Sequence, residues 1–267
     1  MNILLAFNAR RMHGVKPNSS QEQFDRQSKL YAESQIHLKG PSLPVLVEYA
    51  MPQHTDLVLD IATGTGSTAL VVAPHVDRVV GIDIAEQMLA QARTLAADAN
   101  LSNIEFQTGS AEQIPFSDHR FDLVTSRHAP HHFLNVAAFL AEVRRVLKPG
   151  GRFVMVDQIS PNPEVQRWTN TWERTRDPSH FYQRTVEEWM DLAENAGLSW
   201  VRHTQVPYRM EFAWWVRQAG VSAEGIEALK AHARNASQEE KNAALLEFED
   251  GEVTAFTDQM LVVRMEP

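Results

Sequence analysis

The chain has 267 residues, 43% of them hydrophobic and 22% charged, which is enough to bury a sizeable core without metals or disulfides. It has no cysteine, which excludes thiol nucleophiles, disulfides and cysteine-bound metal clusters. A formal net charge of -9 argues against a nucleic-acid partner, because neutralising phosphates takes clustered Lys and Arg.

Residues 1–18 read as a leader. The Ile3-Leu4-Leu5-Ala6-Phe7 run is too short for a signal peptide, and its positive charges follow it. No run approaches the length of a membrane span, so the expected location is cytoplasmic by default. Residues 21–39 pattern as a helix with Phe24, Leu30, Tyr31 and Leu38 as its larger apolar groups, ended by Gly40-Pro41. A second helix is expected over 43–50. The division that follows is a leader and first helix over 1–40 and one α/β domain over 41–267.

From Leu57 the pattern changes. Leu57-Val58-Leu59-Asp60-Ile61 is a short apolar run before a glycine-rich turn, and Arg78-Val79-Val80-Gly81-Ile82-Asp83 repeats the theme. Further strands are expected at Asn103-Ile104-Glu105-Phe106, Phe121-Asp122-Leu123-Val124-Thr125 and Arg152-Phe153-Val154-Met155-Val156. Helical spacing separates most of them, as in Met88, Leu89, Ala92 and then Phe139, Leu140, Val143. Arg144, Arg145 and Lys148 form the nearest approach to a basic strip, but they sit at a helix end, where cations suit the dipole. Strands alternating with helices imply a doubly wound, mostly parallel sheet.

Residues 160–182 break the alternation. Thr185-Val186-Glu187-Glu188 then fits a capping box, with Gly197 placed to end the helix. Residues 198–207 read as a sixth strand. A helical stretch is expected from about 210 to 246, with a second capping box at Ser237-Gln238-Glu239-Glu240. Residues 253–263 close the chain as a strand, giving seven in all, with cap insertions at about 160–182 and 209–250.

Asp60-Ile61-Ala62-Thr63-Gly64-Thr65-Gly66 is the most informative segment. Glycines between a strand and a helix let backbone approach a ligand closely, and the helix N-terminus offers unpaired N–H groups. Gly64-Thr65-Gly66-Ser67-Thr68-Ala69 also fits the dinucleotide fingerprint, and Asp83 lies about 20 residues on, where a ribose-binding acid is expected. Asp60 separates the candidate ligands. A carboxylate at the tip of the first strand repels a pyrophosphate and suits a ligand carrying an ammonium and a sulfonium.

The chain resembles the class I S-adenosylmethionine-dependent methyltransferases of the ubiquinone/menaquinone-biosynthesis-like group. The glycine turn resembles their first motif, with Ala62 at a frequent Gly position. Gly81-Ile82-Asp83 followed by Glu86-Gln87-Met88-Leu89 resembles their second strand and helix. Gly109-Ser110-Ala111-Glu112-Gln113-Ile114-Pro115-Phe116 and then Phe121-Asp122-Leu123-Val124 resemble their adenine loop and fourth strand. Arg145-Val146-Leu147-Lys148-Pro149-Gly150-Gly151 resembles the turn into their fifth. The resemblance implies a Rossmann-like sheet with an antiparallel C-terminal strand, and S-adenosylmethionine as cofactor. It also implies a binding set of Tyr31, Asp60, Ala62, Thr63, Gly64, Gly66, Asp83, Ile84, Met88, Ser110, Ala111, Glu112 and Arg127. Ser110 stands where the family usually has Asp, so it can bond an adenine edge only without charge assistance.

Arg127-His128-Ala129-Pro130-His131-His132-Phe133 follows the fourth strand, where the resemblance places the transferable methyl. His131 and His132 are the catalytic candidates, as bases titrating near neutrality; the alternative is packing or helix capping. Adjacent histidines rarely point one way, so no metal ligand is assigned. Trp168, Trp172, Trp214 and Trp215, four of the six tryptophans, fall in the two insertions, and Phe181, Tyr182, Tyr208 and Phe212 in or beside them add to this. They suit either a cap over a small aromatic or apolar acceptor or the core of an added helical layer. Asp177-Pro178-Ser179-His180 has no role that the sequence assigns. The expected activity is methyl transfer to a small molecule. The alternatives are a nicotinamide-dependent oxidoreductase, which lacks a Tyr-x-x-x-Lys pair here, and a cofactor-binding protein without methyl transfer. Oligomeric state stays open.

Overall fold

The computed structural model describes residues 40–267. The helix expected over 21–39, and Tyr31 with it, lie outside the described residues. Among the described residues one sheet is built from β1 (Leu57–Ile61), β2 (Arg78–Asp83), β3 (Ile104–Thr108), β4 (Phe121–Arg127), β5 (Leu147–Ile159), β6 (Ser199–Glu211), β7 (Glu247–Glu249) and β8 (Glu252–Glu266). Their order is β3-β2-β1-β4-β5-β8-β6, with β7 on β8. β1 to β5 pair in parallel. β8 runs antiparallel to both β5 and β6.

The helices are α1 (Ser42–Ala50), α2 (Ser67–Val72), α3 (Glu86–Asp98), α4 (Val136–Val146), α5 (Gln166–Arg176), α6 (Val186–Asn195), α7 (Phe212–Gln218), α8 (Ala223–Arg234) and α9 (Gln238–Ala243). Successive strand residues point to opposite faces, and on β1, β2, β4 and β5 both faces are buried. Val58, Val79, Leu123 and Val154 pack on one face with Leu46 of α1, Val72 of α2, Trp172 of α5 and Leu229 of α8. Leu59, Val80, Val124 and Phe153 pack on the other with Phe139 and Leu140 of α4 and Trp189 of α6. Two apolar layers on one sheet explain why the strand sequences read as near-continuous hydrophobic runs.

Both capping boxes form. Glu188 N donates to Thr185 Oγ1 at 3.3 Å while Thr185 N donates to Glu188 Oε2 at 3.0 Å. Ser237 and Glu240 exchange the same pair of bonds. Each cap is worth about 1 kcal/mol.

Three expectations need correction. The sheet has eight strands, not seven, because the exposed three-residue β7 adds to the edge of β8. β6 extends to Glu211, since pairing of Tyr208 with Asp258 and Met210 with Phe256 overrides the helical pattern read from 210. The rest of that stretch splits into α7, α8 and α9, with Ser222 and Ser237 capping the latter two. The insertion at 160–182 is helical in part, as expected of a cap: it contains α5, whose sequence is polar apart from Trp168 and Trp172, four residues apart on one face.

Candidate active site

The strand order reverses between β1 and β4, the place beyond the carboxyl ends of the parallel strands where open α/β sheets form a ligand-binding crevice. The turn after β1 lines it. Thr63 N bonds Ile82 O at 2.9 Å and Gly66 N bonds Thr63 O at 2.9 Å, which ties the turn to β2 and curls it back on itself. Ala62, Gly64 and Gly66 have φ of 52, 55 and 82 degrees, the left-handed region that costs an alanine about 1–2 kcal/mol. A Cβ built on Gly64 meets nothing within 4 Å among the described residues, so the backbone there is approachable.

Asp60 lies inside this turn, buried. Its Oδ2 accepts from Thr63 Oγ1 at 2.6 Å and its Oδ1 from Thr125 Oγ1 at 2.7 Å, so it joins the turn to β4. Burial lifts its pKa from 3.8 to about 6, against the pull of the two hydroxyls and of Arg127. Asp83 ends β2 at the mouth. Gly64 N donates to its Oδ2 at 2.8 Å and Ala85 N to its Oδ1 at 2.9 Å. Each carboxylate oxygen keeps a second lone-pair direction. Gly81 behind it is required: a Cβ there would lie 2.7 Å from the Phe106 ring and 3.0 Å from Thr63 Cγ2.

Ile84 follows Asp83 and is 37% exposed, whereas Met88 is buried in α3. Ser110 Oγ accepts from Glu112 N at 3.2 Å, and Ala111 is buried beside them. Glu112 Oε1 accepts Asn135 N at 2.8 Å, so its carboxylate helps start α4. Arg127 is buried at the end of β4, 3.4 Å from Ser67 Oγ, and burial lowers its pKa while Tyr208 and Asp60 raise it.

The histidine loop closes the crevice on its β5 side. Pro130–His132 form one 3-10 turn. His131 Nδ1 is 2.6 Å from Asp157 Oδ1 of β5. An ionised carboxylate only accepts, which puts the ring hydrogen on Nδ1 and leaves Nε2 as the basic nitrogen. The carbonyl of His131 accepts from Phe181 N and Tyr182 N, both at 3.0 Å. His132 Nδ1 bonds Ser179 O at 3.1 Å, and Ser179 Oγ donates to Asp177 Oδ1 at 2.6 Å. Burial first, and His131 second, push His132 down to about 3. The two catalytic candidates therefore differ: His132 is held neutral, whereas His131 is paired with a carboxylate. His180 stacks 5.5 Å from His131 and bonds Asn170 Oδ1 at 3.0 Å. Among the described residues no group of three or more His, Asp or Glu side chains is arranged to hold a metal ion.

Asp157 and the Asp177–His180 contacts escaped sequence reasoning. Asp157 sits in an apolar strand as an isolated acid, which was the available signal. In the basic strip Arg145 is bonded to Glu142 and Asp118, and Lys148 to Asp122.

Residues 59–155 match the family model described as a methyltransferase domain. The chain is 31% identical over 220 residues to the uncharacterised methyltransferase YcgJ of Bacillus subtilis, covering 82% of this chain and 87% of that one. It is 34% identical over 192 residues to the uncharacterised protein YafE of Escherichia coli, covering 72% and 91%. The solved structure of YcgJ superposes with a TM-score of 0.82 at 30% identity, covering 84% of this chain and 97% of the other. No described helix is long and apolar enough to cross a membrane.

Proposed function

This chain belongs to the class I S-adenosylmethionine-dependent methyltransferases, and we propose that it transfers the methyl group to a small-molecule acceptor bound over β4 and β5. One observation carries the reading: an open backbone turn flanked by two buried carboxylates on adjacent strands. The sheet order supports it too. A dinucleotide fold of the common order 3-2-1-4-5-6 has no antiparallel strand inserted beside its fifth strand.

The residues present fit the cofactor. The turn at Gly64–Gly66 would hold its methionine part, Asp83 the ribose hydroxyls, and the Ser110–Ala111 loop the adenine edge. Asp60 sets the shape of the turn through Thr63 and Thr125, and its charge favours a cation nearby. When bound, S-adenosylmethionine supplies a sulfonium methyl that is already electrophilic. The protein's work is then to align the acceptor and exclude water. His131 Nε2 would take a proton from the acceptor, with Asp157 holding the ring and stabilising its charged form. His132 would serve to position the loop through Ser179.

Calorimetry with S-adenosylhomocysteine and with NAD separates the leading reading from the nicotinamide alternative. Saturable binding of the first and not the second is expected. Transfer of a labelled methyl to members of an acceptor panel then tests the chemistry. Binding of NAD alone would end the proposal.

A further inference from the structure

His131, His132 and His180 form one cluster, with ring centroids 4.1 Å apart for His131 and His132 and 5.5 Å apart for His131 and His180. Hydrogen bonds fix where each ring carries its proton. The backbone orients Asn170: Gln183 N donates to its Oδ1 at 2.7 Å, and its Nδ2 donates to Gln183 O at 3.0 Å. Asn170 Oδ1 also lies 3.0 Å from His180 Nε2, so that nitrogen bears the hydrogen. Gln158 Nε2 donates to His180 Nδ1 at 3.4 Å, which engages the second nitrogen. His132 Nδ1 donates to Ser179 O at 3.1 Å, and Ser179 is held in turn by Asp177 Oδ1 through its N at 2.8 Å and its Oγ at 2.6 Å. Burial first, and the charge of His131 second, push both His132 and His180 down, which keeps these two rings neutral.

His131 is built differently. Asp157 holds its Nδ1–H at 2.6 Å, and the ring is 9% exposed against 1% for the carboxylate. The two nitrogens of an imidazole point roughly opposite ways, so Nε2 turns its lone pair away from β5. Phe181 N and Tyr182 N both donate to His131 O at 3.0 Å, so the segment after α5 fixes the loop that carries the ring. The charged groups within reach come from every side. Asp258 of β8 acts on His131, Arg184 acts on Asp157, and Arg174, Arg176 and Asp177 act on the two neighbouring rings. Two carboxylates therefore favour a proton on His131 and repel an anionic acceptor.

On the methyl-transfer reading, we infer that the acceptor is a neutral molecule whose nucleophile is a hydroxyl, a phenol or an enol, and that His131 is the single base that receives its proton. As the oxygen–methyl bond forms, the carbon–sulfur bond breaks with its electron pair going to sulfur. The hydroxyl proton passes to His131 Nε2, and Asp157 stabilises the imidazolium. A neutral hydroxyl is a weak nucleophile until it sheds its proton, so a positioned base acts in the transition state itself. Other acceptors have less use for this pair. A carboxylate has no proton to give and meets Asp157 and Asp258. A thiol ionises readily without help. An amine attacks through a lone pair it already has.

The test reads the proton directly. 4-Nitrophenol is coloured as its phenolate and nearly colourless as the phenol. The full chain, saturated with S-adenosylhomocysteine, is titrated with it in buffer acidic enough to keep the free dye colourless. A saturable phenolate band is expected. His131→Gln should remove the band, and Asp157→Asn should weaken it about tenfold or more, because the ring loses the partner that steadies its charged form. Both variants should still bind S-adenosylhomocysteine, which reports a folded chain. Labelled methyl should pass to phenols, with kcat about 100-fold lower in His131→Gln. Absence of dye binding, a bound dye that stays colourless, or a band that survives His131→Gln overturns the inference and leaves methyl transfer standing. So does methyl passing to anilines, thiols or carboxylates in preference to phenols. A chain that does not bind S-adenosylhomocysteine removes methyl transfer itself, and the inference with it.

Discussion

Replacing Asp60 with Asn should stabilise the ligand-free protein at alkaline pH and weaken its hold on a cationic cofactor. Burial raises the folded-state pKa of Asp60 from 3.8 to about 6, so ionising it costs the native state about 3 kcal/mol at pH 8. The sign follows from which state binds the proton more tightly. A carboxyl with a raised folded pKa adds stability below its unfolded pKa and loses that contribution as pH rises toward 6. Asn carries no charge, so the variant escapes the penalty, although it forfeits part of the bonding to Thr63 and Thr125. That loss is the same at every pH. The quantity to measure is therefore how the variant's stability relative to wild type changes between pH 4 and pH 8. It should move in the variant's favour by about 2 kcal/mol, or about 4–8 °C in melting temperature for a chain of this size. Scanning fluorimetry across pH measures it, and calorimetry with S-adenosylhomocysteine and S-adenosylmethionine at pH 8 checks function. The sulfonium ligand should lose more affinity than the neutral thioether. A stability difference that does not vary with pH would refute the reasoning.

Gly81→Ala should lower stability by about 1–3 kcal/mol, seen in denaturant melts, because the new methyl drives against Phe106 and Thr63; Phe106→Leu in the same chain should recover most of it. Ala62→Gly should be neutral to slightly stabilising, by up to about 1 kcal/mol, since relief of the left-handed strain outweighs the entropy glycine adds to the unfolded chain. For an acceptor that must lose a proton, His131→Ala should lower kcat about 100-fold or more, whereas His132→Ala should act mainly through stability and KM, because His132 is neutral throughout the working pH range. Equal kcat losses in the two variants would remove that distinction.

How much of this was legible in the sequence depended on how local its cause was. β1, β2 and the turn between β1 and α2 were readable because a hydrophobic run, a glycine pair and an acid at fixed spacing all act within a few residues. Thr185 and Ser237 announced their helices for the same reason. The end of β6 was not readable, since Tyr208–Glu211 become strand only by pairing with β8, about 50 residues later. Asp157 is the plainest case at the site. Nothing near it in the chain marks it as the partner of His131; parallel pairing of β4 with β5 brings Arg127 beside Val156 and so sets the two side chains together. The tryptophans were noticed, and Trp168, Trp172 and Trp215 are buried in the core of the added helical layer.

The polar groups buried along this edge share a pattern that stability alone does not explain. Asp60, Glu173 and Asp258 are all less comfortable ionised than they would be in water. A fold selected only for stability would replace them with apolar residues of similar volume, often without loss. Asp60 lies under the turn opened by Gly64, whose backbone a ligand can reach. Beside it on the same edge stands the His131–Asp157 pair, whose Asp157 Oδ2 is buried without a partner among the described residues. A cationic ligand over the turn and a proton passing to His131 would relieve both costs at once.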